Sequence, residues 1–146
     1  MNGSQKGFSL VEVIVVAAIM AVLVGVLTPV YLKYVEKSRI SSDNKSFSEV
    51  ARAMINAGSD EEIMDYIKEK GSVDVMVKDG EEIFCDYNRL QEEVRETVGK
   101  VDLQSKKYKN KTITLVATLN TPADAIIVTQ TEYYKDQKSA AIRFRY

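Results

Sequence analysis

The chain has no histidine and no tryptophan, one cysteine and two prolines. Without histidine it lacks the commonest general base and the commonest metal ligand. One cysteine, Cys85, cannot close an internal disulfide, and its expected role is that of a small apolar core residue, with intermolecular pairing as the alternative. Charge of one sign is also missing: the formal net charge is −1, so no whole-chain field points to nucleic acid or to an anionic membrane. No glycine-rich phosphate loop, no zinc spacing and no nucleophile beside a plausible base can be found. The acidic runs Glu81-Glu82 and Asp60-Glu61-Glu62 read as solvated faces or a helix cap; stray oxygens near Asp124 or Asp136 are the weak case for calcium. The reading is of a chain that is not an enzyme, with no cofactor and no metal. With 146 residues it has room for one modest domain.

What is present is unevenly distributed. Val13 to Leu27 carries no charge, and the apolar stretch runs from Phe8 to about Leu32, broken by Thr28 and Pro29. As a helix it is long enough to cross a hydrocarbon core of about 30 Å. A secretory signal peptide would have a shorter apolar core followed by a small-x-small cleavage site. Here Ala17, Ala18 and Ala21 lie inside the core. A plain anchor fits in length, and Lys6 favours a cytoplasmic N-terminus, although Lys33, Lys37 and Arg39 weaken that argument. Glu12 fits neither reading. A charge at the centre of a span costs roughly 2.5–3.5 kcal/mol, and less near the edge. An anchor has no use for it.

The segment Lys6-Gly7-Phe8-Ser9-Leu10-Val11-Glu12 resembles the class III leader of type IV prepilins and pseudopilins, with Pro29, Tyr31 and Tyr34 following as in that family. The resemblance covers residues 5–40. It implies a leader of residues 1–7, cleavage between Gly7 and Phe8 by a prepilin peptidase on the cytoplasmic side, and methylation of Phe8. It implies assembly as a homo-oligomeric helical filament, handled by pilus or secretion machinery. The precursor would be a single-pass membrane protein with its N-terminus cytoplasmic, passing later to an extracellular pilus or a cell-envelope pseudopilus. Type IV pilus, type II secretion and competence systems all remain open. The alternative is a minor tip pilin that acts as an adhesin or DNA-uptake receptor; an anchored enzyme is the remote third.

Glu12 then has a use. Cleavage exposes an α-amino group with a pKa of about 7.7–8.0. In an apolar bundle, pairing of that amine with a neighbour's Glu12 offsets the cost of burying either charge and sets register. Without such a pair, Glu12 would snorkel to the interface. Gly25 and Pro29 belong to the same helix: Pro29 has no N–H for the Gly25 carbonyl, and glycine is a poor helix former. They mark either a kink that neighbours tolerate or, as the family resemblance implies, a stretch that loses helicity in the filament.

The rest predicts an α+β fold. Lys33 to Ala57 has no glycine or proline. Phe47, Val50, Ala51, Met54 and Ile55 form one apolar stripe at helical spacing. A helix from Phe8 to Gly58, with its assembly half at 8–32, would precede a globular domain at 59–146. Gly58 is the expected C′ residue, and Ser59-Asp60-Glu61-Glu62 reads as a capping box. A short helix follows to Gly71, then a strand through Val73, Val75 and Val77. Asp79-Gly80 turns into Ile83-Phe84-Cys85, and Asn88 with Gln91 reads as the cap of a helix ending at Gly99. Lys100 to Lys111 is expected as a solvated loop. Its Lys106-Lys107-Tyr108-Lys109 mixes bases with an aromatic, too little for a nucleic-acid site. Three strands, through Ile113–Leu119, Ala125–Tyr133 and Ala140–Phe144, with turns at Thr121–Asp124 and Lys135–Ser139, make an antiparallel meander that the helix stripe covers. This matches the ladle-like pilin fold that the resemblance implies.

Charge divides by segment. Residues 60–98 hold 13 acidic and 5 basic residues, net −8; residues 99–146 hold 4 acidic and 9 basic, net +5. Either copies of the chain meet basic surface on acidic surface, or the two segments neutralise each other within one subunit.

Overall fold

The computed structural model describes residues 7–120, 125–134 and 137–144, with side chains at 7–119 and 126–129. Its helices are α1 (Leu10–Ala57), α2 (Glu61–Lys70) and α3 (Asn88–Val98); its strands are β1 (Ser72–Val77), β2 (Phe84–Cys85), β3 (Ile113–Asn120), β4 (Ala125–Tyr134) and β5 (Gln137–Phe144). The fold is α+β with a long apolar N-terminal helix. The chain divides into two compact units, Met1–Lys37 and Ser38–Tyr146.

In the first unit α1 is apolar on every side, and its large side chains are exposed one after another from Phe8 to Tyr34. None of these side chains is buried by the described residues of its own unit. By length and composition the helix could cross a membrane. Burying a Val, Leu or Ile side chain is worth about 1.5–3 kcal/mol. The row together represents a drive on the order of tens of kcal/mol to leave water.

The second unit has its own core. From Ser38 onward α1 buries Phe47, Val50, Ala51, Ala53, Met54 and Ala57. The expected stripe is present; Ile55 is half-buried at its edge. The helix stops at Gly58, but not in the left-handed geometry a C′ glycine usually adopts, since Gly71, Gly80 and Gly99 are the glycines with positive φ. The Gly58 N–H donates to both Met54 O and Ile55 O at 3.2 Å, and Ser59 and Asp60 continue with bonds three residues back. Glycine is needed there for room: a Cβ would lie 1.9 Å from Ile126 Cδ1 on β4.

The short helices shift their caps relative to expectation. Asp60, not Ser59, caps α2, its Oδ1 accepting from the Glu62 N–H at 2.9 Å. Gly71 ends that helix in the left-handed region, φ 81°, with its N–H on Ile67 O. On α3 the cap position is Tyr87, with no side-chain cap bond, and Asn88 is already helical. Gln91 is occupied elsewhere, its Oε1 accepting from the Cys85 N–H at 3.0 Å. Ile63, Ile67, Leu90 and Val94 supply the buried faces.

The sheet is larger than the predicted meander. β3, β4 and β5 are antiparallel neighbours as expected, and β1 and β2 extend them into five strands in the order β2-β1-β3-β4-β5. The pairing Val75↔Leu115, with Val75↔Cys85 on the other side, aligns three core residues across three strands. Val73, Val75, Val77, Ile113, Leu115, Ala117 and Val128 are buried. β1 and β3 are joined through β2, α3 and the lysine loop, so their adjacency is not a hairpin signal that local sequence could carry. The turn at Thr121–Asp124 lies outside the described residues, as do the side chains of Ala140, Ile142 and Phe144.

The segment Lys100–Lys111 is not a solvated loop. Val101, Leu103, Ser105 and Tyr108 are buried between exposed neighbours. Tyr108 meets Phe47 edge to face, with ring centroids 5.2 Å apart, and its hydroxyl lies 3.3 Å from Asn44 Oδ1. A tyrosine buried in this way is not available to stack on a base.

Candidate functional site

The N-terminal site is built on the start of α1. Gly7, Phe8 and Ser9 are non-helical, and Leu10 is the first helical residue. Ser9 O accepts from the Glu12 N–H at 3.0 Å and from the Val13 N–H at 3.3 Å, which closes the first turn. The Gly7–Phe8 peptide therefore lies outside the helical hydrogen-bond ladder. Nothing stands within 4 Å of where a Gly7 Cβ would be, and Phe8 is 84% exposed. Among the described residues the Gly7–Phe8 bond is open and exposed. From Leu10 onward the chain is helical.

Glu12 sits in the first turn of α1, where a carboxylate is favoured by the helix dipole. It lines an open groove with Phe8, Val13, Val16, Ala17 and Met20. The wall of that groove is apolar apart from the carboxylate. Phe8 and Glu12, four residues apart, thus share one side of the helix start. The Glu12 carboxylate is the charged group on this otherwise apolar surface.

Gly25 and Pro29 are inside α1, which continues through both. Pro29 leaves Gly25 O without its usual donor. The Thr28 hydroxyl donates to Val24 O at 2.6 Å, a local bond that competes with the helical ladder and tends to bend helices. A Cβ on Gly25 would meet nothing within 4 Å.

Two residues in the second unit act as anchors, Asp43 without any sequence signal and Asp79 with only that of a turn. Asp43 on α1 is buried. Its Oδ1 accepts from the Gln104 N–H and its Oδ2 from the Ser105 N–H, each at 2.9 Å, and the Ser105 hydroxyl also donates to Oδ2. Asp79, after β1, accepts from the Leu103 N–H at 2.7 Å, beside a Gly80 N–H bond to Val101 O at 3.1 Å. Two carboxylates thus pin consecutive parts of the lysine loop. A helical aspartate flanked by Ser, Ser and Asn looks in sequence like one more exposed polar residue.

Cys85 is buried and unpaired, and burial pushes its thiol above the ordinary range. Such a thiol is a poor nucleophile, in keeping with the packing role expected of it. Asp74 is also raised, by burial first and by the neighbouring Asp86 second. Among the described residues no cluster of three His, Cys, Asp or Glu side chains could hold a metal ion. Asp124 and Asp136 lie outside those residues.

No curated protein and no solved structure matches the chain. The family model of the prokaryotic N-terminal methylation motif matches residues 2–28, the stretch that holds Gly7, Phe8, Glu12 and the uncovered half of α1. Residues 2–28 of this chain thus match the N-terminal methylation motif, which is that of the class III leader of type IV prepilins and pseudopilins.

Proposed function

We propose that the protein is a structural subunit, not an enzyme, of a type IV pilus or a related pseudopilus. It enters the membrane through α1 with its N-terminus cytoplasmic. A prepilin peptidase removes residues 1–7 and the new terminus at Phe8 is methylated. Pilus or secretion machinery then polymerises it through α1 into a helical filament outside the membrane. The observation that carries this reading is the coincidence of the methylation motif at residues 2–28 with a helix whose large apolar side chains are all exposed from Leu10 to Leu32. Such a surface requires a cover that its own chain does not provide. Lipid serves before assembly, and other copies serve after it.

Glu12 and the Phe8 amine act within that surface. Each charge is costly alone in an apolar bundle, and the pair offsets the cost. Gly25, Thr28 and Pro29 weaken the helical ladder over one turn, which lets α1 adjust its path among neighbours. Intact mass of the protein from peptidase-active cells tests the first step. The expected mass lacks residues 1–7 and carries a methyl group on Phe8. A protein that still begins at Met1 would overturn the reading.

A further inference from the structure

We propose that Tyr31, Lys33, Tyr34 and Lys37 form a headgroup-binding collar at the far end of the membrane span, and that its partner is the phosphate of anionic phospholipids. The proposal rests on the membrane-spanning reading of α1 and names what holds the end of the span that Glu12 does not mark. Two observations carry it. The first is distance along α1. Lys33 follows Glu12 by 21 residues in one continuous helix. At about 1.5 Å per residue that is roughly 31 Å, the depth of a hydrocarbon core of about 30 Å. Between the two residues there is no charge. With Glu12 at one boundary, Lys33 reaches the other, and Lys37 stands one turn further, in the headgroup layer.

The second observation is the chemistry gathered at that boundary. Tyr31 and Tyr34 are 66% and 74% exposed. Lys33 and Lys37 are exposed as well, and they lie in the same unit as the span. Tyrosine is amphipathic and settles where its ring is in apolar surroundings and its hydroxyl is wet. Lysines four residues apart share one side of a helix, and their stems are long enough to carry the ammonium groups to the phosphate level. Residues 31–39 hold three basic residues and one acidic, Glu36, so the stretch keeps a positive balance whatever Glu36 contacts. Lysines on this side of a span run against the rule that gathers positive charge on the cytoplasmic side. A grip on headgroups gives them a use. It holds the span at a fixed depth, with Glu12 at the edge of the core, where a charge costs less than at the centre.

The test uses the full chain before any cleavage, in vesicles that mix phosphatidylcholine with phosphatidylglycerol. The chain has no tryptophan, so Tyr34→Trp places a single emitter in the collar and keeps an aromatic ring there. Brominated phosphatidylglycerol should quench it in preference to brominated phosphatidylcholine, by about fivefold or more in relative binding. Adding Lys33→Gln with Lys37→Gln should bring the two lipids to within about twofold of each other. Lys68→Gln with Lys70→Gln on α2, which removes as much charge elsewhere, should leave the preference in place. Equal quenching by the two lipids at the outset, or a preference that survives loss of both collar lysines, would defeat the collar. So would loss of the preference on adding inorganic phosphate at constant ionic strength, since the lysines would then be binding a free anion. Val22→Trp, midway between Glu12 and Lys33, tests the reading beneath the proposal: lipids brominated deep in their chains should quench it strongly. If they do not, α1 does not span, and that reading falls in its own right.

Discussion

The two halves of α1 are written in the same secondary structure and solve opposite problems. Before Lys33 the helix exposes Val, Leu and Ile on every side and none is covered. After Ser38 it exposes polar residues and buries Phe47, Val50, Ala51 and Met54 in a core it shares with the sheet. Both halves are helical, the first in spite of Gly25 and Pro29. What differs is where the partner surface comes from: outside the chain for the first half, from later in the chain for the second. A carboxylate marks each half. Glu12 is set in an apolar groove at the helix start, and Asp43 is satisfied by donors 61 and 62 residues away.

The largest expected effect comes from separating the halves. Removal of residues 1–32 should convert a membrane-bound protein into a soluble monomer that keeps a cooperative unfolding transition by circular dichroism. An unfolded fragment would show that the second region is not self-sufficient. Next is Glu12→Gln, which keeps size and hydrogen bonding and removes the charge. Membrane insertion and cleavage after Gly7 should persist, since the scissile bond lies four residues away. Filaments should be lost, because an amine left without its countercharge costs on the order of 3–5 kcal/mol at each subunit. Normal filament counts with Glu12→Gln would reduce Glu12 to a passenger.

Asp43→Ala sharpens the comparison from the other side. It leaves the part-buried Gln104 N–H, the buried Ser105 N–H and the Ser105 hydroxyl without an acceptor, at about 1–3 kcal/mol for each buried group left bare. The soluble fragment should lose on the order of 3 kcal/mol in urea, and protease should gain access after Lys106 and Lys109. Processing at Gly7 should not change. The smallest effect is expected at Asp74. Its carboxyl is held above 3.8 by burial and then by Asp86, so the folded state binds that proton more tightly than the unfolded chain. The charge therefore costs stability at neutral pH and costs nothing below about pH 3.8. Asp74→Asn should stabilise the fragment at pH 7 by less than about 1 kcal/mol after solvent screening, with the gain gone at pH 3. A loss at pH 7 would mean that Asp74 has a favourable partner.

Much of the fold was legible from periodicity. The stripe at Phe47–Ile55, the alternation at Val73–Val77 and the stop at Gly71 each rest on residues close in sequence, where spacing alone decides which side chains share a face. The leader was legible through the resemblance of Lys6–Glu12 to the class III leader; the cost of a carboxylate in an apolar run showed only that a plain anchor was not enough. The cap at Ser59 was misplaced by one residue because the neighbouring Ser59 and Asp60 side chains compete for the same orphan N–H groups, and the cap at Asn88 because α3 takes in Asn88 and has Tyr87, with no side-chain cap bond, at the cap position. The lysine loop was misread because composition averages over residues that point in opposite directions. Val101, Leu103 and Tyr108 enter the core while the lysines between them do not.

By itself the sequence determined that residues 8–32 must be covered by something other than water, that Glu12 is the one charge in that run, and that no internal disulfide can form. These follow from side-chain chemistry and local spacing. Only the tertiary structure decided that β1 and β2 join the C-terminal strands in one sheet, that Asp43 is a buried acceptor, and that Tyr108 belongs to the core. Each of those depends on residues that are distant in the chain. Their meeting is set by the summed packing of the whole domain, which no local window of sequence contains.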